Sequence, residues 1–166
     1  MKHRKIIITG GTGHTAQALA RIFGKENHVI LLTRQSVNGH SNRTVLKATD
    51  GYNITYWRWD AMHVEKHWAK EIEGADIVLN LPQSGIDAGR TIGNAITHTV
   101  VPPKLWINVS SIIDEIRTPF TRKIALRMAV VHTGHLARCI EWYYEHTDME
   151  GTFDCAAPRS GNSFAF

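Results

Sequence analysis

A β-branched run, Lys5–Thr9, leads without interruption into Gly10-Gly11-Thr12-Gly13-His14-Thr15-Ala16. A strand that passes straight into a glycine-rich turn and then a helix restricts the chain to few folds. Ile6-Ile7-Ile8 suits a strand covered on both faces, as in a parallel sheet. Ala16, Leu19 and Phe23 follow at helical spacing and predict a helix over 15–23. Gly10 permits the tight turn, and Gly13 lets the backbone approach a pyrophosphate with no Cβ in the way. Ala16 stands where a small residue allows close helix–strand packing. The helix N-terminus offers N–H donors and a partial positive charge. Gly10, Gly11, Thr12, Gly13, His14, Thr15 and Ala16 are therefore read as a dinucleotide phosphate loop.

The rest of the chain alternates apolar runs with helical periodicity, the pattern of an α/β layered fold. His28–Thr33 reads as a second buried strand. A polar stretch over 35–53 holds a hairpin candidate, with 44–49 and 54–59 flanking Asp50-Gly51. Val64, Trp68 and Ile72 predict an amphipathic helix closed by Gly74. Strands are expected over 76–81, 104–110, 123–131 and 152–156. Helices are marked by Ala88, Ile92 and Ile96, and by Leu136, Ile140 and Tyr144. With no linker, repeat or low-complexity tract, residues 1–166 read as a single domain. The fold class is a doubly wound α/β domain, its sheet mostly parallel, with helices on both faces.

Composition narrows the function classes. The 166 residues are 43% hydrophobic and 20% charged, which excludes wholesale disorder. The net charge of +4 is scattered, with no Lys/Arg block, so no nucleic-acid partner is expected. No apolar run approaches the roughly 18 residues of a membrane helix. The basic opening is followed by only three isoleucines, so no secretory signal is read and a cytoplasmic location is expected. The two cysteines, Cys139 and Cys155, then read as buried thiols with no base beside them in sequence.

The second strand ends at Thr33, and Arg34 follows 21 residues after Gly13. An NAD-selective site places an acid near this point to hold the ribose hydroxyls, yet none occurs from Val29 to Ser36. Arg34 is suited to a 2′-phosphate, so NADP(H) is favoured over NAD(H).

Ile7-Ile8-Thr9-Gly10-Gly11-Thr12-Gly13 resembles the opening of extended short-chain dehydrogenases. Four later stretches sharpen the likeness: 76–81 (Asp-Ile-Val-Leu-Asn-Leu), 103–111 (Pro-Lys-Leu-Trp-Ile-Asn-Val-Ser-Ser), 122–127 (Arg-Lys-Ile-Ala-Leu-Arg) and 151–158 (Gly-Thr-Phe-Asp-Cys-Ala-Ala-Pro). Together they resemble the small NAD(P)-dependent nucleotide-sugar epimerase family of the short-chain dehydrogenase/reductase superfamily. The resemblance implies a Rossmann fold, a nicotinamide cofactor and a small-molecule substrate. It places Asp60 near the adenine, Asn80 and Leu81 along the cofactor's ribose, Ser110 beside the cofactor and Ser111 on the catalytic serine. It implies an oxidoreductase or epimerase acting on a hydroxyl or keto carbon, as in a nucleotide-linked sugar. Open α/β sheets bind ligands at the carboxyl ends of their strands, which independently suits Ser111.

The departures from the family are specific. Its catalytic tyrosine and lysine lie four residues apart, and no Tyr-x-x-x-Lys occurs anywhere in this chain. A tyrosinate moves the hydroxyl proton, and a neighbouring lysine lowers its pKa toward neutrality. Ser111 alone orients a hydroxyl and does not replace that pair. Against the family pattern, chain is missing near 82–85, after 111–113 and between Val131 and His132. The sequence then reads either as a longer polypeptide with three segments left out, or as a reduced protein. In the second case it is a non-catalytic NADP(H)-binding sensor or interaction module.

No metal site is read from the sequence. His63 and His67 are expected at i, i+4 on a helix with no third ligand in view, and His132 and His135 form a second loose pair. Trp57 and Trp59 alternate on one strand face and are read as core. Tyr143 and Tyr144 are read as packing residues.

Overall fold

The computed structural model describes residues 1–35, 43–47, 51–81, 86–109, 120–128 and 132–155. These form eight strands and four α-helices. The strands are β1 (Lys5–Thr9), β2 (His28–Thr33), β3 (Arg43–Lys47), β4 (Asn53–Arg58), β5 (Ile77–Asn80), β6 (Leu105–Val109), β7 (Arg122–Met128) and β8 (Gly151–Cys155). The helices are α1 (His14–Phe23), α2 (Lys66–Ala69), α3 (Ile86–Thr97) and α4 (Thr133–Glu145). The sheet order is β3-β4-β2-β1-β5-β6-β7-β8. Every pairing from β4 to β8 is parallel, and β3 adds an antiparallel edge on β4 with Val45 opposite Thr55. The strand order reverses direction at β1, where successive connections leave for opposite sides of the sheet. In open α/β sheets, ligands bind at such a switch point, outside the carboxyl ends of the strands.

The sheet is buried on both faces, which explains why its strands read as apolar runs rather than alternations. Ile6 and Ile8 of β1 face one core with Leu19 and Phe23 of α1 and Leu136 and Ile140 of α4. Ile7 faces the other, with Trp57, Trp59, Trp68, Ile92 and Trp106. Trp59 and Trp68 meet edge to face with ring centroids 5.3 Å apart. Both tryptophans of the β4 region are thus core, as their alternation predicts. Burying an aromatic of this size contributes on the order of 3 kcal/mol.

The antiparallel β3–β4 pair realises the predicted hairpin. The helix predicted from Val64, Trp68 and Ile72 is corrected. Only Lys66–Ala69 is helical, and Val64 is exposed while Trp68 and Ile72 are fully buried. Two local features shorten it. Asp60 Oδ1 accepts the N–H groups of Met62 and His63, both at 2.8 Å, in a turn where Ala61 has φ 65°. Beyond Ala69 the chain tightens into three-residue turns, with Ile72 N–H donating to the Ala69 carbonyl and Ala75 N–H to that of Ile72. A period of four is kept by the side chains although only 66–69 is α-helical beneath them. His63 and His67 therefore do not share a helix face. His63 bonds Asp60, while His67 Nε2 lies 2.7 Å from the Arg58 carbonyl.

Candidate functional site at the carboxyl edge

The β1–α1 connection supplies the clearest binding geometry. Gly10 has φ 74°, a backbone conformation that favours glycine, so the turn after β1 needs it. Gly11 N–H donates to the Leu32 carbonyl at 2.9 Å, and Gly13 N–H closes the turn on the Gly10 carbonyl at 2.8 Å. A Cβ on Gly11 would lie 3.0 Å from Leu31 Cβ and 3.2 Å from the Leu32 carbonyl oxygen, so this glycine is required by its approach to β2. Gly13 precedes α1 in an extended conformation, and no side chain caps the helix. The opening N–H groups, at His14 to Ala16, are directed out of the helix end. No acid occupies the first turn to oppose an anion there. Ala16 is fully buried against the sheet, while Thr12 and His14 are exposed. A nicotinamide dinucleotide's pyrophosphate fits this loop on those grounds.

Sequence reasoning missed the brace of the loop. The Gln17 carboxamide donates through Nε2 to the Gly11 carbonyl and accepts through Oε1 from Tyr56 Oη at 3.0 Å. The bare spacing of Gln17 in α1 carries no sign of a partner 39 residues away.

Beneath the loop, three strand ends are joined by neutral groups. Thr9 Oγ1 donates to Asn80 Oδ1 at 2.9 Å and accepts from Leu81 N–H at 3.0 Å. Asn80 Nδ2 donates to Asn108 Oδ1 at 2.6 Å. All three side chains are buried. The register of β1, β5 and β6 puts them in one row at the carboxyl edge. Asn80 and Leu81, expected near the ribose, are thus both tied into the edge on which the loop rests.

Arg34 is exposed directly beyond β2, whose Thr33 sits opposite Arg58 of β4. Asp60 is exposed just past β4. Its Oδ2 lies 2.5 Å from His63 Nδ1, and this contact with the two N–H donors holds its pKa at about 2. The same contact raises His63 above its ordinary value. Thr91 Oγ1 of α3 donates to the Ala61 carbonyl at 2.9 Å and fastens the Asp60 turn to the helix layer. Ser110 and Ser111 lie outside the described residues, as do 82–85, 111–113 and Val131, where the sequence departs from the family pattern. β6 ends at Val109, one residue past Asn108, which sits opposite Asn80 on β5.

All four tyrosines fall among the described residues. Tyr144, expected only to pack, also donates from Oη to Asp76 Oδ1 at 2.9 Å. Asp76 precedes β5, so this contact lies at the amino edge, across the sheet from the phosphate loop. The Tyr143 carbonyl meets Arg122 at the start of β7, on the same far edge. Tyr56 is committed to Gln17, and Tyr52 leads into β4. None is placed for proton transfer at the end of β6. The reading of Cys139 as a buried thiol without a base is corrected too: it is half-buried, and His135 Nε2 stands 3.6 Å from its Sγ.

No helix among the described residues is long and apolar enough to cross a membrane. No family model matches the chain, and no curated protein matches it. Solved structures do. One is a UDP-N-acetylglucosamine 4-epimerase from Methanobrevibacter ruminantium M1 in complex with UDP-N-acetylmuramic acid. It shares 16% identity and a TM-score of 0.65, over 93% of this chain and 76% of the other. Another is a short-chain dehydrogenase from Oenococcus oeni PSU-1, with 13% identity and a TM-score of 0.54, over 94% and 96% of the two chains. The chain thus shares with these structures the fold, a doubly wound α/β sheet.

Proposed function

We propose that this chain binds a nicotinamide dinucleotide across its carboxyl edge, as an oxidoreductase or epimerase acting on a hydroxyl or keto carbon of a small molecule. A nucleotide-linked sugar fits that class. The observation that carries the reading is the uncapped N-terminus of α1 behind a glycine turn braced by Gln17. Gly10 to Ala16 hold the pyrophosphate. Asp60 stands on the adenine side, and Asn80, Leu81 and Ser110 on the ribose side. Arg34, with no acid nearby in sequence, favours NADP(H) over NAD(H) through a charge-assisted contact with the 2′-phosphate. The bound cofactor supplies hydride exchange. Ser111, as the catalytic residue, orients the reacting oxygen by a hydrogen bond.

A second reading rests on a specific observation. The chain contains no Tyr-x-x-x-Lys, and none of its four tyrosines is placed at the end of β6. A chain of this composition alone is a non-catalytic NADP(H)-binding sensor or interaction module. Intact mass separates the two. A mass of 18.7 kDa favours the binding module. A substantially larger mass means further chain, and with it room for the proton-transfer pair.

Binding is tested by titrating NADPH and NADH into the protein and into Arg34→Asp. NADPH is expected to bind more tightly than NADH, and the variant to lose on the order of tenfold for NADPH alone. Equal loss of both cofactors refutes the 2′-phosphate contact, and no binding of either refutes the function. With a substrate in hand, Ser111→Ala is expected to remove most turnover. Full activity in that variant overturns its assignment.

A further inference from the structure

We propose that His135, Cys139 and Cys155 form a binding site for a zinc-class divalent cation that clasps α4 to the end of β8. His135 and Cys139 are four residues apart on α4, so they project from one face of the helix. Cys155 is the last residue of β8, opposite Met128 of β7, and brings a second sulfur to that face. The Sγ atoms of Cys139 and Cys155 are 3.3 Å apart without being bonded, and His135 Nε2 is 3.6 Å from Cys139 Sγ. All three ligand atoms lie within 4.8 Å of one another.

These separations match a tetrahedral centre. Zinc–sulfur bonds of about 2.3 Å and zinc–nitrogen bonds of about 2.0 Å put neighbouring N and S ligands about 3.6 Å apart and two sulfurs about 3.8 Å apart. The His135–Cys139 edge is already at that value, the His135–Cys155 edge is within 4.8 Å, and the sulfurs need to open by about 0.5 Å, a small side-chain rotation. Two thiolates and an imidazole select zinc-like ions over magnesium or calcium, which prefer oxygen. His135 and Cys155 are buried, whereas Cys139 is half-buried and gives an ion a way in. Cys155 Sγ donates to Cys139 Sγ at 3.3 Å, a contact that a cation bound by both sulfurs would replace. Binding forms two metal–sulfur bonds and one metal–nitrogen bond, and the thiol protons pass to solvent. The fourth position is left to water.

The site is separate from the phosphate loop. β8 stands four strands from β1 in the sheet, while α4 itself packs against α1. It holds independently of the cofactor reading, because no residue is shared.

Cobalt(II) reports the site directly. The full chain is reduced with a phosphine, stripped with a chelator, and titrated with cobalt(II) while near-ultraviolet and visible absorption are followed. Its only cysteines are Cys139 and Cys155, so a thiolate-to-cobalt charge-transfer band has a single possible origin. One cobalt per chain is expected, with that band, intense four-coordinate visible bands, and stoichiometric displacement by zinc. Cys139→Ser and Cys155→Ser should each lose about half of the charge-transfer intensity and at least about 100-fold in affinity, beyond what outer-shell partners cost. His135→Gln should keep the band and lose affinity. Circular dichroism checks each variant's fold, and if one fails to fold, the wild-type band still decides. Absence of the thiolate band at micromolar cobalt, or a band at undiminished intensity and affinity in both serine variants, overturns the site. The cofactor titration is run on the same samples, and NADPH affinity is expected to be equal with and without zinc.

Discussion

The two edges of one sheet are built from opposite electrostatics. At the amino edge, a single carboxylate collects charged and polar partners from across the fold. Asp76 accepts from Lys104 Nζ at 2.7 Å, Lys5 N–H at 3.0 Å and Tyr144 Oη at 2.9 Å, with Arg4 at 3.8 Å. Burial alone would push its pKa up, but these partners outweigh it and hold it below the ordinary value. Arg122, on the same edge, donates to the carbonyls of Tyr143, His146 and Met149 and ends α4. At the carboxyl edge the corresponding network, Thr9–Asn80–Asn108, is neutral throughout. The difference separates stability from binding. A charged hub ties strands and helix together where no ligand is needed. A neutral row beneath the loop leaves the α1 dipole as the field an anion meets.

The largest expected effect is at the charged edge. Asp76→Ala should cost about 3 kcal/mol, because Lys5 N–H and Tyr144 Oη lose a charged acceptor. Lys104 is largely exposed and softens the loss. For a chain of this size the melting temperature should fall by roughly 6–12 °C. NADPH affinity should stay within about twofold, and a parallel loss of binding would break the separation of the two edges. The sign of the pH dependence follows from the depressed Asp76 pKa. Its contribution is present above about pH 4 and is lost as pH falls through the folded value. Acid unfolding should show this limb, and Asp76→Asn should flatten it.

Asn80→Asp sharpens the contrast by putting a charge on the neutral edge. The variant loses the donor to Asn108 and buries a carboxylate, at a cost of about 2 kcal/mol near neutrality. Burial disfavours the carboxylate, so the introduced acid's folded pKa is raised and its charge appears as pH rises through that value. The variant should therefore be most stable below about pH 4 and weaken as pH rises, the reverse of the Asp76 limb. NADPH affinity at neutral pH should drop roughly tenfold. An Asn80→Asp protein that binds NADPH like the parent would show that edge neutrality is not what the anion requires.

Gln17→Ala removes two hydrogen bonds from the loop brace. About 1 kcal/mol of stability and about fivefold of NADPH affinity should go, measured by melting and by titration. The smallest effect is at the exposed Asp60 turn. His63→Ala should raise the Asp60 pKa from about 2 toward the ordinary carboxylate value, readable by NMR titration, with no change in melting temperature.

Much of this molecule is readable in its one-dimensional order. The phosphate loop is legible because its demands are local. Gly10 is needed for its own dihedral, and Ala16 for the packing of its own helix on its own strand. The buried strands are legible because double coverage by helices leaves most of their positions apolar. The rest depends on partners far apart in the chain. Thr9 and Asn80 are separated by 71 residues, and Asp76 and Tyr144 by 68. No periodicity links such positions, and only strand order brings them together. The helix predicted at 64–72 shows the limit inside a short window, since buried Trp68 and Ile72 satisfy helical spacing on one helical turn followed by tighter turns. The His135–Cys139 spacing lay in plain view, but it became a site only when β8 brought Cys155 beside it. Sequence determined the dihedrals and faces of each segment, because those energies are set by neighbouring residues. Tertiary structure decided which polar groups meet, because a buried hydrogen bond or ligand set forms only once distant strands are in register.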